Sequence, residues 1–517
     1  RNIRGLSTSH IRNLFSKSYG GLGGYTPLVL LSYAVEYHFF GLDPTAFHRT
    51  NLILHVFNTL VVFGLFYLVS GGLGVSFVTA AFFAIHPLHV EPVAWVQGRK
   101  DLLFSLFYLT GLIAYVGYLK KNRKTIYYGA TLLFFSLSLF SKVTAISFPL
   151  VLLLLERHFT RKVDRPALLR TLPFWMMSGI FFALAFMLHD PMFTGSIKHV
   201  PSYWQSLSAF FYAFPFYAGK LFVPLRLFPG YSNSIGHDPW QAVLNFAALA
   251  ILAGLVYMAY RRKPDIVNFG IGFAILTLLP TLPFHFYGQP YEDRYMYLPL
   301  AGVLVVLVGL LPEKTWSLKP ISRATKMACT ALVLLGTVLS VMSWNQVRVW
   351  HDSLSLWSHA IEKDPKNIVG YVNRANALEE AGQLSLALRD LERARLLNPE
   401  NPWIALNISG IHFKQGAYDQ VLNELNRLIA QDPLFYDGYM SRGKFWSQMG
   451  KINEAIKDFS SALLINKSYE AYCYRAEAYI DNKEFARALE DLRAAYRIEH
   501  TEQVQGLIKK ILSGKAI

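Results

Sequence analysis

Between residues 48 and 345 long apolar runs alternate with short polar seams, whereas 346–517 is polar, helix-forming sequence. The runs fall near 48–69, 75–92, 102–119, 125–141, 143–156, 171–188, 240–259, 265–282, 295–312 and 327–345. A helix rises about 1.5 Å per residue and a bilayer core is about 30 Å thick, so such runs predict membrane-crossing helices. The pair 125–141 and 143–156 is short and predicts a hairpin with Ser141 and Lys142 at its tip.

The polar part repeats. Pro365, Pro399 and Pro433 recur at steps of 34, with small residues (Ala360, Ala387, Ala394, Ala455, Ala462, Gly443, Gly450) in the same frame. A 34-residue helix–turn–helix with small residues at the crossing is the tetratricopeptide (TPR) pattern. About four repeats over 367–500 are expected, after a half-repeat WHDSLSLWSHAIEKDP and before a closing helix at 501–514. Asn373 and Asn407 share one position of successive first helices, a position that commonly faces the concave groove. Asparagine can bond an extended peptide backbone, so both are candidate acceptor-peptide ligands. Ser441 and Tyr474 follow at that position, so a packing or oligomerisation module stands as the alternative.

Charge orients the membrane part. Of 517 residues 53% are hydrophobic and only 16% charged, and the net charge is +16. That balance would suit nucleic acid only if a basic face carried interleaved exposed aromatics, and none does. The basic residues instead gather in four connectors: KKNRK at 120–124, RHFTRKVDRPALLR at 157–170, RRK at 261–263, and 314–326. Short loops rich in Lys and Arg mark the cytoplasmic side. The polar seams 1–47, 86–101, 141–142, 189–238 and 283–294 then share the opposite face, together with the TPR part. A crossing by the apolar segment 205–222 would put 157–170 on the wrong side. An interfacial or re-entrant segment is expected there, with Pro215 and Lys220 turned to protein or water. The two cysteines, Cys329 and Cys473, give neither a disulfide framework nor metal-type spacing.

The seam HPLHVEPVAWVQGRKD (86–101) holds two histidines, Glu91, Arg99, Lys100 and Asp101 beside lipid, where charge is costly unless paired, wet or useful. A solvated turn would explain it alone. Lys142, Lys220 and the run YEDRYMYLP at 291–299 reach the same face, however, and together these groups suit a lipid-linked phosphate sugar. Cations neutralise the phosphate, a carboxylate takes the proton of an acceptor hydroxyl, and aromatics stack on sugar. None of these charges sits mid-span, which argues against an ion or proton transporter. His86, His89 and Glu91 have a spacing that a divalent metal could use, but Pro87 and Pro92 deny them one helical face, so hydrogen-bonding roles are favoured and no metal ligand is assigned.

HPLHVEPVAWVQGRKDLL resembles the signature of the transmembrane-and-TPR-containing (TMTC) family. YTPLVLLSYAVEYHFFG with FHRTNLILHVFN, LFSKVTAISFPLVLLLLE, YAGKLFVPLRLFPGY, EDRYMYLP and WHDSLSLW agree in order. The resemblance implies an all-α GT-C glycosyltransferase bundle, a polyprenyl-phosphate-linked sugar donor and an O-mannosyltransferase-like activity on the non-cytoplasmic face. It also implies a first membrane helix and an acidic base upstream of residue 1, since residues 1–17 contain no Asp or Glu. Thr26 stands where the family often has arginine, so one donor-phosphate contact is either lost or supplied by another basic residue.

The expectation is an outer loop with interfacial helices (1–47), a membrane glycosyltransferase domain (48–345) and a TPR domain (346–517). Glu91 and Asp101 are the catalytic candidates. His86, His89, Arg99, Lys142, Lys220, Tyr231, Glu292, Arg294 and Tyr295 are candidates for donor phosphate and sugar, with Arg99 either binding the phosphate or holding Asp101. Partners are the lipid-linked donor, a protein or peptide acceptor and membrane lipid, in a bacterial inner membrane with periplasmic TPRs or an endoplasmic reticulum with lumenal ones. A non-catalytic membrane-anchored TPR scaffold is the alternative, and a lipid-linked glycan flippase is a third reading.

Overall fold

The computed structural model describes residues 5–16, 24–121, 123–187, 203–231, 239–281, 291–311 and 323–513. Among them are helices and no strand, in two compact units, Arg1–Pro365 and Lys366–Ile517. Parts of the expected seams (189–202, 232–238, 283–290) and most of the 314–326 connector lie outside the described residues.

The first unit opens with α1 (Thr8–Ser16), α2 (Pro27–Phe40), α3 (Pro44–Ser70) and α4 (Leu73–Ile85). The short α5 (Val90–Ala94) leads into α6 (Arg99–Lys120), α7 (Thr125–Ser141) and α8 (Phe148–Thr160). Then come α9 (Arg165–Met187), α10 (Tyr203–Phe222), α11 (Pro239–Arg262), α12 (Pro264–Leu278), α13 (Pro299–Gly309), α14 (Arg323–Val349) and α15 (Ser353–Lys363). Among the described residues five helical stretches are long and apolar enough to cross a membrane: Pro44–Ser70, Val96–Lys120, Val143–Thr160, Arg165–Ala185 and Thr325–Val349. Residues 203–222 form one helix with Pro215 inside.

The apolar run 75–92, expected as one span, is broken. Leu73–Ile85 and Pro87–Ala94 meet at 56°. Pro87 explains the bend, because it has no N–H to continue the ladder of α4. Two 3₁₀ turns, Pro87–His89 and Val96–Gly98, then fold the chain back to start α6. Gly98 permits that return: a Cβ there would run into the backbone of Pro92.

α3 wears its polar residues inward. Asn51, His55 and Asn58, at helical spacing, are buried, while Leu52, Ile53 and Val56 are more than half exposed. That inverts the pattern of a helix in water and suits one facing lipid. Elsewhere the bundle is held by close packing. Gly270 of α12 and Gly302 of α13 bring two backbones together, and a Cβ on Gly302 would lie 2.9 Å from the Ala274 amide nitrogen. An aromatic seam of Phe135 and Phe148, with ring centroids 4.7 Å apart, joins α7 to α8.

The half-repeat expected to open the TPR part is α15, and it packs in the first unit, where Ala360 belongs to the core and Trp357 lies against it. The contact boundary therefore falls at 365/366. The second unit is four helical hairpins, α16/α17 (Ile368–Glu380, Leu384–Leu397), α18/α19 (Pro402–Lys414, Tyr418–Gln431), α20/α21 (Tyr436–Gln448, Ile452–Ile465) and α22/α23 (Tyr469–Asp481, Phe485–Ile498). α24 (Glu502–Leu512) closes it. An arginine on the first helix forks onto an aspartate on the second in three repeats: Arg374 on Asp390, Arg442 on Asp458 and Arg475 on Asp491, each at 2.7–2.8 Å. In the second repeat Ile408 replaces the arginine, and Glu424 takes Arg395 and Arg427 instead.

Candidate active site

Three segments converge at one end of the first bundle: the first turn of α6, the tip between α7 and α8, and a 3₁₀ turn at Asp293–Met296. Lys142 Nζ lies 2.5 Å from Asp101 Oδ1, and Asp101 Oδ2 is buried without a hydrogen-bond partner among the described residues. Both side chains line a small recess with Arg294, Tyr295, Thr144 and Thr277. Asp101 lies in the first turn of α6, and its carboxylate is spent on this pairing.

Glu91, which its proline-bounded turn cannot satisfy, is satisfied from a distance. Arg294 donates from Nη1 to Glu91 Oε1 (2.5 Å) and from its backbone N–H to Oε2 (3.2 Å). The same Nη1 is 3.1 Å from Glu292 Oε2. The guanidinium lies over Trp95 (4.7 Å) and Tyr295 (5.4 Å), and Lys142 lies over Tyr295 (5.5 Å). Arg294 and Lys142 thus enter the site charge-balanced and oriented by aromatic faces.

A second group continues from the same turn. The Tyr231 hydroxyl donates to Asp293 Oδ1 (2.7 Å), and Lys220 sits over the Tyr231 ring (4.6 Å) while donating to the Arg226 carbonyl. Burial pushes the Asp293 carboxyl up to about 7 against the opposing pull of Lys220. Lys220 and Tyr231 are therefore neighbours of the recess through Asp293, not part of its lining.

Arg99 goes elsewhere. It is fully buried, and its guanidinium donates to Glu36, to Asn51 Oδ1 (2.9 Å) and to the Phe47 carbonyl (2.8 Å), under the Tyr33 ring (4.6 Å). The expectation that it binds phosphate or holds Asp101 is corrected: it clamps α2, α3 and α6 together. The reason is Glu36, a carboxylate in an apolar helix that needs a buried cation.

The histidines also turn to backbone. His86 Nε2 meets the Leu221 carbonyl (3.2 Å) and His89 Nδ1 the Phe83 carbonyl (2.6 Å). Among the described residues no group of three or more His, Cys, Asp or Glu is placed to hold a metal ion. Tyr297, which also lines the recess, is fixed by His55 Nδ1 (2.8 Å) and Asn58 Nδ2 (3.2 Å). Sequence reasoning missed Glu36, Asn51, Asp293 and Tyr297. Asn51, His55 and Asn58 could have been found as polar residues at helical spacing inside an apolar run. In the second unit Asn373 donates to its own helix at Val369 (2.8 Å), and Asn407 is half-buried.

With this geometry in place the relatives are informative. The human protein O-mannosyl-transferase TMTC4 is 24% identical over 439 residues, covering 71% of this chain and 57% of that protein. Human protein O-mannosyl-transferase TMTC1 is 25% identical over 452 residues, covering 75% of this chain and 50% of that one. The chain is homologous to the TMTC proteins. A shorter match, 30% identical over 210 residues, is to protein O-mannosyl-transferase Tmtc2 of Drosophila melanogaster, covering 37% of this chain and 22% of that one. The chain spans about half the length of these first curated relatives. The tetratricopeptide repeat family matches residues 356–389 and 378–437. Solved structures with similarity include MamA (TM-score 0.26, 18% identity, 28% of this chain and 86% of that one). A thermophilic TPR protein of Thermus thermophilus has TM-score 0.28 and 16% identity, over 35% of this chain and 95% of that one.

Proposed function

We propose that the chain is a membrane glycosyltransferase that moves a sugar, mannose by analogy with the names of its relatives, from a polyprenyl-phosphate-linked donor to a protein Ser or Thr hydroxyl on the non-cytoplasmic face. The observation that carries the reading is the recess where Lys142, Arg294 and Asp101, from distant segments, meet beside Tyr295. In the transfer the acceptor oxygen attacks C1 of the sugar, and the C1–O bond breaks with its electron pair going to the phosphate. Lys142 and Arg294 stabilise that leaving charge. Each cation already holds a carboxylate, so an arriving phosphate competes with Asp101 for Lys142. The displaced carboxylate then accepts the acceptor's proton. Glu91, fixed by Arg294, orients a sugar hydroxyl or relays a proton. The TPR unit presents the acceptor, with Asn373 and Asn407 toward the peptide, in the periplasm or the endoplasmic reticulum lumen.

The test is transfer by the purified chain in lipid nanodiscs, from polyprenyl-phosphate mannose to a Ser/Thr peptide. Transfer that falls steeply in Asp101→Asn and in Arg294→Gln supports the reading. A folded protein that transfers nothing from polyprenyl-phosphate donors would favour a TPR scaffold. Transfer at the full rate in Asp101→Asn would move the base to another carboxylate.

A further inference from the structure

The far end of the same helices carries a second cavity. α8 runs from Phe148, beside the recess, to Thr160, and α12 runs the opposite way from Pro264 to Leu278. Between the C-terminal end of α8 and the N-terminal end of α12 lies a cleft whose lining includes Leu154, Phe269, Arg157, Arg161 and the Asp265 carboxylate.

Its two sides differ in chemistry. Phe269 is 1% exposed and Leu154 packs toward Gly272 of α12, so one wall is apolar. The rim is cationic. Arg157 is exposed in the last turn of α8 and has no carboxylate partner among the described residues. Arg161 caps that helix in a left-handed conformation (φ 64°) and pairs with Asp265, both side chains more than half exposed. His158 is fixed on the Val69 carbonyl (3.1 Å), and Lys120 on the Leu68 carbonyl (3.1 Å) beside it. The basic connectors 120–124, 157–170 and 261–263 meet this end of the bundle, which assigns it to the cytoplasmic leaflet.

We propose that this cavity binds an anionic phospholipid, with its phosphate on Arg157 and Arg161 and an acyl chain along Leu154 and Phe269. An unpaired arginine beside one already oriented is a phosphate-binding arrangement. Basic pockets between membrane helices on the cytoplasmic side suit anionic headgroups. The apolar wall selects the lipid over a free anion, which has nothing to place there. The site is independent of sugar transfer and lies at the other end of α8.

The experiment uses the full chain purified in a neutral detergent. Its thermal unfolding is followed with added phosphatidylglycerol, phosphatidylcholine or inorganic phosphate, and lipid retention is counted by native mass spectrometry. Phosphatidylglycerol should raise the unfolding temperature and stay bound, while the other two should do neither. Arg157→Gln should weaken phosphatidylglycerol binding about tenfold, the size of one charge-assisted contact. Asp265→Asn, which releases Arg161, should strengthen it, so the two variants move in opposite directions. Equal effects of the two lipids, an Arg157→Gln protein with undiminished affinity, or inorganic phosphate reproducing the whole shift would each overturn the proposal.

Discussion

Asp101 Oδ1 and Lys142 Nζ stand 2.5 Å apart although 41 residues separate them in the chain. The contact joins the start of α6 to the α7–α8 tip and leaves one carboxylate oxygen, Oδ2, buried and without a hydrogen-bond partner among the described residues. A buried pair of this kind is poor evidence for stability and better evidence for use, because desolvating both charges consumes most of their attraction.

Asp101→Asn should therefore lower transfer by about 10²–10⁴, the range of a general base. It should also destabilise the protein by up to about 3–5 kcal/mol by stranding Lys142. Asp101→Asn combined with Lys142→Met removes both charges and should recover thermal stability without recovering transfer. Recovery of both would show that the pair only holds the bundle together.

Arg99 behaves differently. Its three hydrogen-bond partners come from α2 and α3, so Arg99→Lys, which cannot reproduce the fork, should lower folded yield and unfolding temperature, costing about 3 kcal/mol or more. Donor affinity of the surviving folded protein should stay near wild type. A selective loss of donor binding with unchanged stability would restore Arg99 to the phosphate site.

The contrast between these arginines shows what a sequence reveals. The TPR period, the hairpin tip at Ser141 and Lys142, and the helix start near Asp101 were legible because they rest on local spacing. The partners of Glu91 and Arg99 were not. Arg294 is 203 residues from Glu91, and Glu36 is 63 residues from Arg99, with no period to connect them. In a polar seam an arginine reads the same whether it faces a cavity or a buried carboxylate. The signal that separates them was Glu36, one acid in an otherwise apolar helix. Likewise Pro87 marked the break in the run 75–92, which its hydrophobicity concealed.

Asp293 should leave a signature in pH. Its folded pKa is raised to about 7, so the native state keeps a proton that an unfolded aspartate releases near pH ~4. The native state binds more protons across that window. Its stabilising contribution is complete below pH ~4, declines as pH rises to about 7 and is flat above. Lys220, Tyr231, Glu292 and Arg294 face the group and travel with it. Asp293→Asn should flatten the decline, a difference on the order of a few kcal/mol. Unfolding temperatures of both proteins between pH 4 and 8 decide it, and parallel curves would deny Asp293 the titration.

In the TPR unit, Ala375, Ser409, Gly443 and Ala476 share one register of the first helices, and Leu391, Leu425, Phe459 and Leu492 share the matching register of the second. All eight are buried. The glycine falls in the one repeat whose partner is phenylalanine, and a Cβ on Gly443 would lie 2.6 Å from Phe459 Cε1. The larger ring fills the volume that the smaller residue vacates, and a close-packed interior has no slack for both. Gly443→Ala alone should therefore destabilise the unit by about 1–3 kcal/mol, even though alanine is the better helix former. Adding Phe459→Leu recreates the pair found in the first and fourth repeats and should recover most of the loss. Chemical denaturation of the full chain, followed by fluorescence of Trp446 in the same repeat, measures the cycle. Additive losses in the double variant would mean that the two positions do not compensate.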